Sequence, residues 1–151
     1  MEKLTLNIAA AVTLLMWIFK AYSETLNECK GALSKLADCG GGCNSDGEAL
    51  ALAHARMVAR PAKRKVMMVL SDGMPQCSGN LSLKGLRNHL RDVVADITRS
   101  GTEVIAIGIE DDAVSRFYEN YCVVNNLDEL SGTALDMLSK LLLGEARRNV
   151  S

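Results

Sequence analysis

The chain has 151 residues, 48% of them hydrophobic and 23% charged, with a formal net charge of −1. These values suit one globular domain and exclude a disordered, collagen-like or disulfide-scaffold chain. The near-zero charge supplies no field toward nucleic acid or an acidic membrane, and 4% aromatic residues are too few for a base-stacking surface.

Residues 4–19, Leu4 to Phe19, carry no charge, and two readings are open. The preferred one is a buried helix over residues 3–16, with Ala9, Ala10 and Ala11 letting it pack closely. The other is an export signal: Lys3 precedes the run and Ala21-Tyr22-Ser23 imitates a cleavage site, whereas Glu2, Thr5, Asn7 and Thr13 count against it. The stretch is short for a membrane span, which takes ~20 apolar residues. Trp17-Ile18-Phe19 predicts a short strand.

Residues 24–37 place Leu26, Cys29, Leu33, Leu36 and Ala37 on one helical face. Gly40-Gly41-Gly42 breaks the chain, and Ser45 or Asp46 is positioned to cap a new helix that runs to about Arg60, where Pro61 stops it. Val66 to Leu70 is a continuous apolar run and predicts a strand buried on both faces. Ser71-Asp72-Gly73-Met74-Pro75 is a turn, and Gln76 to Asn80 a polar loop. Leu83, Leu86, Leu90, Val93, Val94 and Ile97 define a long helix that Ser100-Gly101 ends. Val104 to Ile109 is a second buried strand, followed by Glu110-Asp111-Asp112, a short helix near 112–119 and a third strand at 121–124. Leu135, Leu138, Leu141 and Leu142 mark a closing helix. Strand–helix alternation from residue 66 onward implies an α/β domain, a mostly parallel sheet with helices on both faces. Ligands of such sheets sit beyond the carboxyl ends of the strands, which here means near Asp72 and, as a weaker candidate, Asp111.

Asp72 either caps its own turn or points into that crevice, and the local pattern does not choose between the two. Asn44-Ser45-Asp46 is explained by helix capping alone, yet its small oxygen-bearing side chains also suit Mg²⁺. Arg56, Arg60, Lys63, Arg64 and Lys65 sit at a helix carboxyl terminus, where cations offset the dipole, so a solvated surface is preferred over phosphate binding. The five cysteines, Cys29, Cys39, Cys43, Cys77 and Cys122, form no CxxC pair, and neither His54 nor His89 has zinc-ligand spacing. They read as thiols of a reducing cytosol. Cys77 lies in a polar loop without an activating base. No nucleophile–histidine–acid set, P-loop or GxGxxG is present.

In combination, four stretches resemble the von Willebrand factor A (VWA) domain of the cobaltochelatase CobT subunit. They are Asn44 to Leu50, Ala59-Arg60-Pro61, Val69 to Pro75 and Ile105 to Ile109. The closing segment Leu127 to Leu143 also fits, the likeness covers about 24–143, and Pro61 to Lys65 is closest to short CobT-like proteins of phages. The resemblance implies a Rossmann-like VWA fold and a metal-ion-dependent adhesion site for Mg²⁺. Such a site is built from a DxSxS sequence, a later Thr and a later Asp, and an acidic side chain of a partner completes it. It also implies a AAA+ ATPase partner (CobS-like), a large chelatase subunit, and a complex that inserts cobalt into a corrin at the expense of ATP. In this chain Asp72 matches the final Asp, Ser71 precedes it, Asn44 falls at the Thr position and Asp46 is the nearest extra carboxylate.

No DxSxS exists here, and Glu2 to Met16 resembles the helix that follows it. Residues 1–23 are therefore expected to be a remnant of that helix and a short strand, ahead of a CobT-like domain at 24–151. The first strand and a hairpin are expected to be missing, so Mg²⁺ would be held weakly and an apolar sheet edge would favour self-association. The leading expectation is a cytoplasmic, non-catalytic subunit, at most part of an ATP-dependent cobaltochelatase, in a cobalamin-biosynthetic or phage-adapted complex. The alternatives are a remnant without independent function and a secreted or membrane-anchored binding module.

Overall fold

In Val104-Ile105-Ala106-Ile107 every side chain is apolar, and all four are buried. Successive strand residues face opposite ways, so both faces of this strand are covered. It is the middle strand, β4 (Glu103–Ile109), of a three-stranded parallel sheet with β3 (Val66–Ser71) on one side and β5 (Tyr121–Val124) on the other. The computed structural model describes residues 2–8, 12–39, 45–76 and 82–143.

Among the described residues four α-helices accompany the sheet: α1 (Leu26–Leu33), α2 (Asp46–Val58), α3 (Leu83–Arg99) and α4 (Leu130–Leu142). Thr25 and Glu28 open α1 with a reciprocal capping box. Ser82 opens α3 by accepting from the Gly85 N–H, and Gly101, at φ +87°, ends it. Leu86, Leu90, Val94 and Ile97, spaced by helical turns, are buried along α3. Each contributes about 1.5–3 kcal/mol by leaving water. Leu90, Val94 and Ile97 meet Leu50 of α2, Met67 of β3, Val104 and Ala106 of β4, and Phe117 and Tyr118. Arg64 ties α4 to this body, pairing with Glu103 at 2.5 Å and donating to the Leu141 carbonyl at 2.6 Å.

The α/β class and the parallel sheet stand as expected. The amino-terminal expectation is corrected. A helix was expected at 3–16 and no hairpin, but β1 (Glu2–Ile8) and β2 (Val12–Ile18) form an antiparallel hairpin, with Leu4 opposite Met16 and Leu6 opposite Leu14. Alternation drives this: Leu4, Leu6 and Ile8, then Val12, Leu14, Met16 and Ile18 recur at the strand period of two. β3 is corrected too: it is an edge strand among the described residues, and its Leu70 is 51% exposed rather than buried. The expected helix near 112–119 shortens to a single 3₁₀ turn at Ala113–Arg116. No helix among the described residues is long and apolar enough to cross a membrane.

Candidate functional site

Because β3 and β4 run parallel, with Ser71 opposite Gly108, their carboxyl ends open onto the same edge. The turn after β3 is held by the Ser71 hydroxyl, which donates to the Gly73 carbonyl at 3.0 Å. Asp72 is exposed within that turn, and Pro75 beyond it is buried. The turn after β4 is sharper. Glu110 adopts a left-handed φ of 56°, which places Asp111 against Gly108 so closely that a Cβ at 108 would run into the Asp111 backbone. The Asp111 carboxylate accepts the Ala113 N–H at 2.7 Å, a self-capping turn. Its other oxygen lies 3.6 Å from where a Cβ of Gly73 would stand, so the two turns touch.

The first residue of α2 joins this edge. Burial pushes the Asp46 carboxyl up to about 6, helped by the negative charges of Asp72 and Glu48. The amino end of α2 favours an anion there, but desolvation outweighs it. Tyr118 is pushed well above the usual phenol range by burial and by the Asp46 charge. Glu48 pairs with His89 at 3.3 Å, while its other carboxylate oxygen is buried without a hydrogen-bond partner among the described residues. Gly47 makes room for this pair, since a Cβ there would approach the His89 ring to 2.5 Å.

Asp72 lies within electrostatic reach of Asp46, Ser71 precedes it in the same turn, and Asp111 braces the neighbouring turn. Asn44 lies outside the described residues, as do Cys43, Cys77 and Gly40-Gly41-Gly42. Ser45 occupies the cap position of α2 but makes no side-chain cap bond. Three residues of the basic cluster make contacts within the fold. Arg60 stacks on Tyr22 at 4.9 Å, Arg64 holds Glu103 and α4, and Lys65 donates to the Ala62 carbonyl. Cys29, Cys39 and Cys122 are free thiols.

Glu48 with its partner His89, and Tyr118 within reach of the Asp46 charge, are not signalled in the sequence, apart from the place of Glu48 two residues after Asp46 in the first turn of a helix.

Chemically, this edge is a set of oxygen donors with a surplus of negative charge and an orphaned buried carboxylate oxygen, which suits a hard cation. The fit is partial, because among the described residues no three His, Cys, Asp or Glu side chains converge closely enough to hold a metal ion. A groove of about 1310 Å³ lies elsewhere, between Thr98–Val104 and Phe117–Asn120, and neither Asp46 nor Asp72 lines it. No solved structure matches the chain. The family model that matches residues 37–144 is the cobalamin biosynthesis protein CobT VWA domain, and because this span exceeds half of the chain, the chain belongs to that family.

Proposed function

We propose that this chain is a non-catalytic binding subunit, whose carboxylate edge engages a AAA+ ATPase partner through a shared Mg²⁺. The reading is supported by the half-buried Asp46 carboxyl, raised first by burial and then by the charge of Asp72, which follows the carboxyl end of β3. A divalent cation relieves that repulsion. Asp46, Asp72 and Ser71 would hold it, with Asn44 as a further oxygen donor. Two carboxylates and a hydroxyl leave most of an octahedral shell to water, so affinity for the metal alone is low. An acidic side chain from the partner then completes the shell, which makes metal and partner binding interdependent.

The family is one of cobalamin biosynthesis. The complex would be cobaltochelatase-like, with a large subunit that carries the chemistry, or a phage-adapted relative of it. The cytoplasm is the compartment that fits, and the free thiols Cys29, Cys39 and Cys122 favour it.

The test is capture of the AAA+ ATPase of the source by the tagged chain, with Mg²⁺ and with chelator, beside the Asp72→Asn variant. The expected result is capture in Mg²⁺ that chelator and D72N both abolish. Failure to capture any ATPase under either condition overturns the reading.

A further inference from the structure

A groove of about 1310 Å³ runs along the second half of α3, and neither Asp46 nor Asp72 borders it. α3 lines it with Arg91, Val94, Ala95, Thr98 and Arg99, and residues 101–104 and 117–120 supply most of the rest. Nearly all of the lining therefore comes from the continuous run 91–120, and β4 within that run is paired on both sides. Val94, Val104 and Phe117 are buried and give the groove an apolar floor. Its volume exceeds the ~300–1,000 Å³ of a small-molecule pocket and suits a length of polypeptide.

The charges of the lining are not balanced. Arg64 and Glu103, which also border the groove, hold each other. Arg91 lies 5.3 Å from the centroid of the Phe117 ring. It donates to the Arg116 carbonyl and to the Asn88 side-chain oxygen, both at 3.3 Å. These contacts orient its guanidinium but give it no carboxylate among the described residues. Arg99 pairs with Asp96 at 2.8 Å, yet the two side chains are 73% and 68% exposed, and such a surface pair exchanges readily. Asn120 is half-buried in the lining, and its carboxamide makes no hydrogen bond among the described residues. The opposing charge is Glu119, which is exposed.

We propose that this groove binds an extended acidic segment of a partner protein, in which two carboxylates flank an apolar residue at alternate positions: acid, any, apolar, any, acid. Register supports this. Arg91, Ala95 and Arg99 follow one another at four-residue steps of α3, about 6 Å each along the axis. Alternate residues of an extended chain point the same way and stand about 6.6 Å apart. One carboxylate then meets Arg91 and the other meets Arg99, each able to form a paired hydrogen bond with the guanidinium. The apolar side chain between them lies over Ala95, whose exposed methyl leaves it room. The Asn120 carboxamide offers a donor and an acceptor to the backbone of the segment. None of these residues belongs to the carboxylate edge.

Fluorescence anisotropy of a labelled peptide containing Glu-Ser-Leu-Ser-Glu tests this on the intact chain, in EDTA so that the proposed Mg²⁺ contact plays no part. Saturable binding that weakens with salt is expected, and a peptide with both glutamates replaced by lysine should not bind. Arg91→Glu reverses one charge and Ala95→Trp fills the middle of the groove, and each should weaken binding by on the order of tenfold. Glu119→Lys should tighten binding, a gain that a folding defect would not give. Failure of the acidic peptide to bind overturns the proposal, whether the chain sediments as a monomer or as a dimer whose second copy fills the groove. Binding that ignores both Arg91→Glu and Ala95→Trp also overturns it. So does a single-stranded oligonucleotide that displaces the peptide and binds more tightly, which would assign the groove to phosphates.

Discussion

Asp46 has the most unfavourable charge placement at the carboxyl edge. Its carboxyl rises from the ordinary 3.8 to about 6 because burial strips water from the charged form and Asp72 and Glu48 repel it. Between about pH 4 and 6 the folded chain holds a proton that the unfolded chain releases. Stability therefore falls as pH rises through that window, and the penalty is fully present above it. Partial exposure reduces the cost to on the order of 1 kcal/mol. Asp46→Asn removes the charge and keeps the shape, so it should raise the thermal midpoint by a few degrees at pH 8 and leave it unchanged near pH 4. An equal effect at both pH values would show that Asp46 is not held against its neighbours. The place of Asp72 in the turn after β3 was legible in the sequence, because an apolar run followed by Ser-Asp-Gly ends in a turn; its role was not. Nor were those of Glu48 and Tyr118, because their roles exist only once α2 lies beside α3 and the turn after Arg116 folds back.

The elements differ in how openly their sequences announce them. α3 was readable nearly to the residue, since a single apolar stripe recurs over seventeen residues between Ser82 and Gly101. The amino terminus was not, because Ala9-Ala10-Ala11 reads as a strong helix former and joins two alternating runs into one apolar stretch. The strand period within each run was the better signal. β3 misled in another way: an apolar run indicates where a strand could be buried, and whether it is depends on its neighbour in the sheet.

β4 and the turn it feeds make a prediction at this scale. Gly108 lies under the Asp111 backbone, and the side chain of Val114 is 2.9 Å from where its Cβ would be. Backbone cannot step aside as a flexible side chain can, so Gly108→Ala should destabilise by about 2 kcal/mol or more and lower the urea midpoint. Gly132 in α4 has nothing within 4 Å of its Cβ position. Gly132→Ala should therefore stabilise by about 0.5–1 kcal/mol. If both substitutions behave alike in urea, the close approach at Gly108 is not what shapes the turn.

At the scale of the molecule, two β units are joined by helix packing. The hairpin β1–β2 forms a sheet of its own, and its main contact with the remainder is β2 against α2. The three-stranded unit has its own core, drawn from α2, α3, β3, β4 and the Phe117-Tyr118 corner. A two-stranded hairpin is at best marginally stable alone, so here it depends on α2. The chain carries one tryptophan, Trp17, half-buried on β2, so its emission reports the hairpin and far-UV circular dichroism reports mostly the helices. Unfolding should not be a single transition: Trp17 emission should change at lower urea than the dichroism at 222 nm. Shortening the chain to begin at residue 19 should leave the dichroism transition cooperative and lower its midpoint only slightly. Coincident curves in the intact chain, with loss of the dichroism transition on shortening, would mean that the hairpin is part of the main core. In that case the carboxylate edge, which α2 supplies with Asp46, would depend on residues 2–18 for its position.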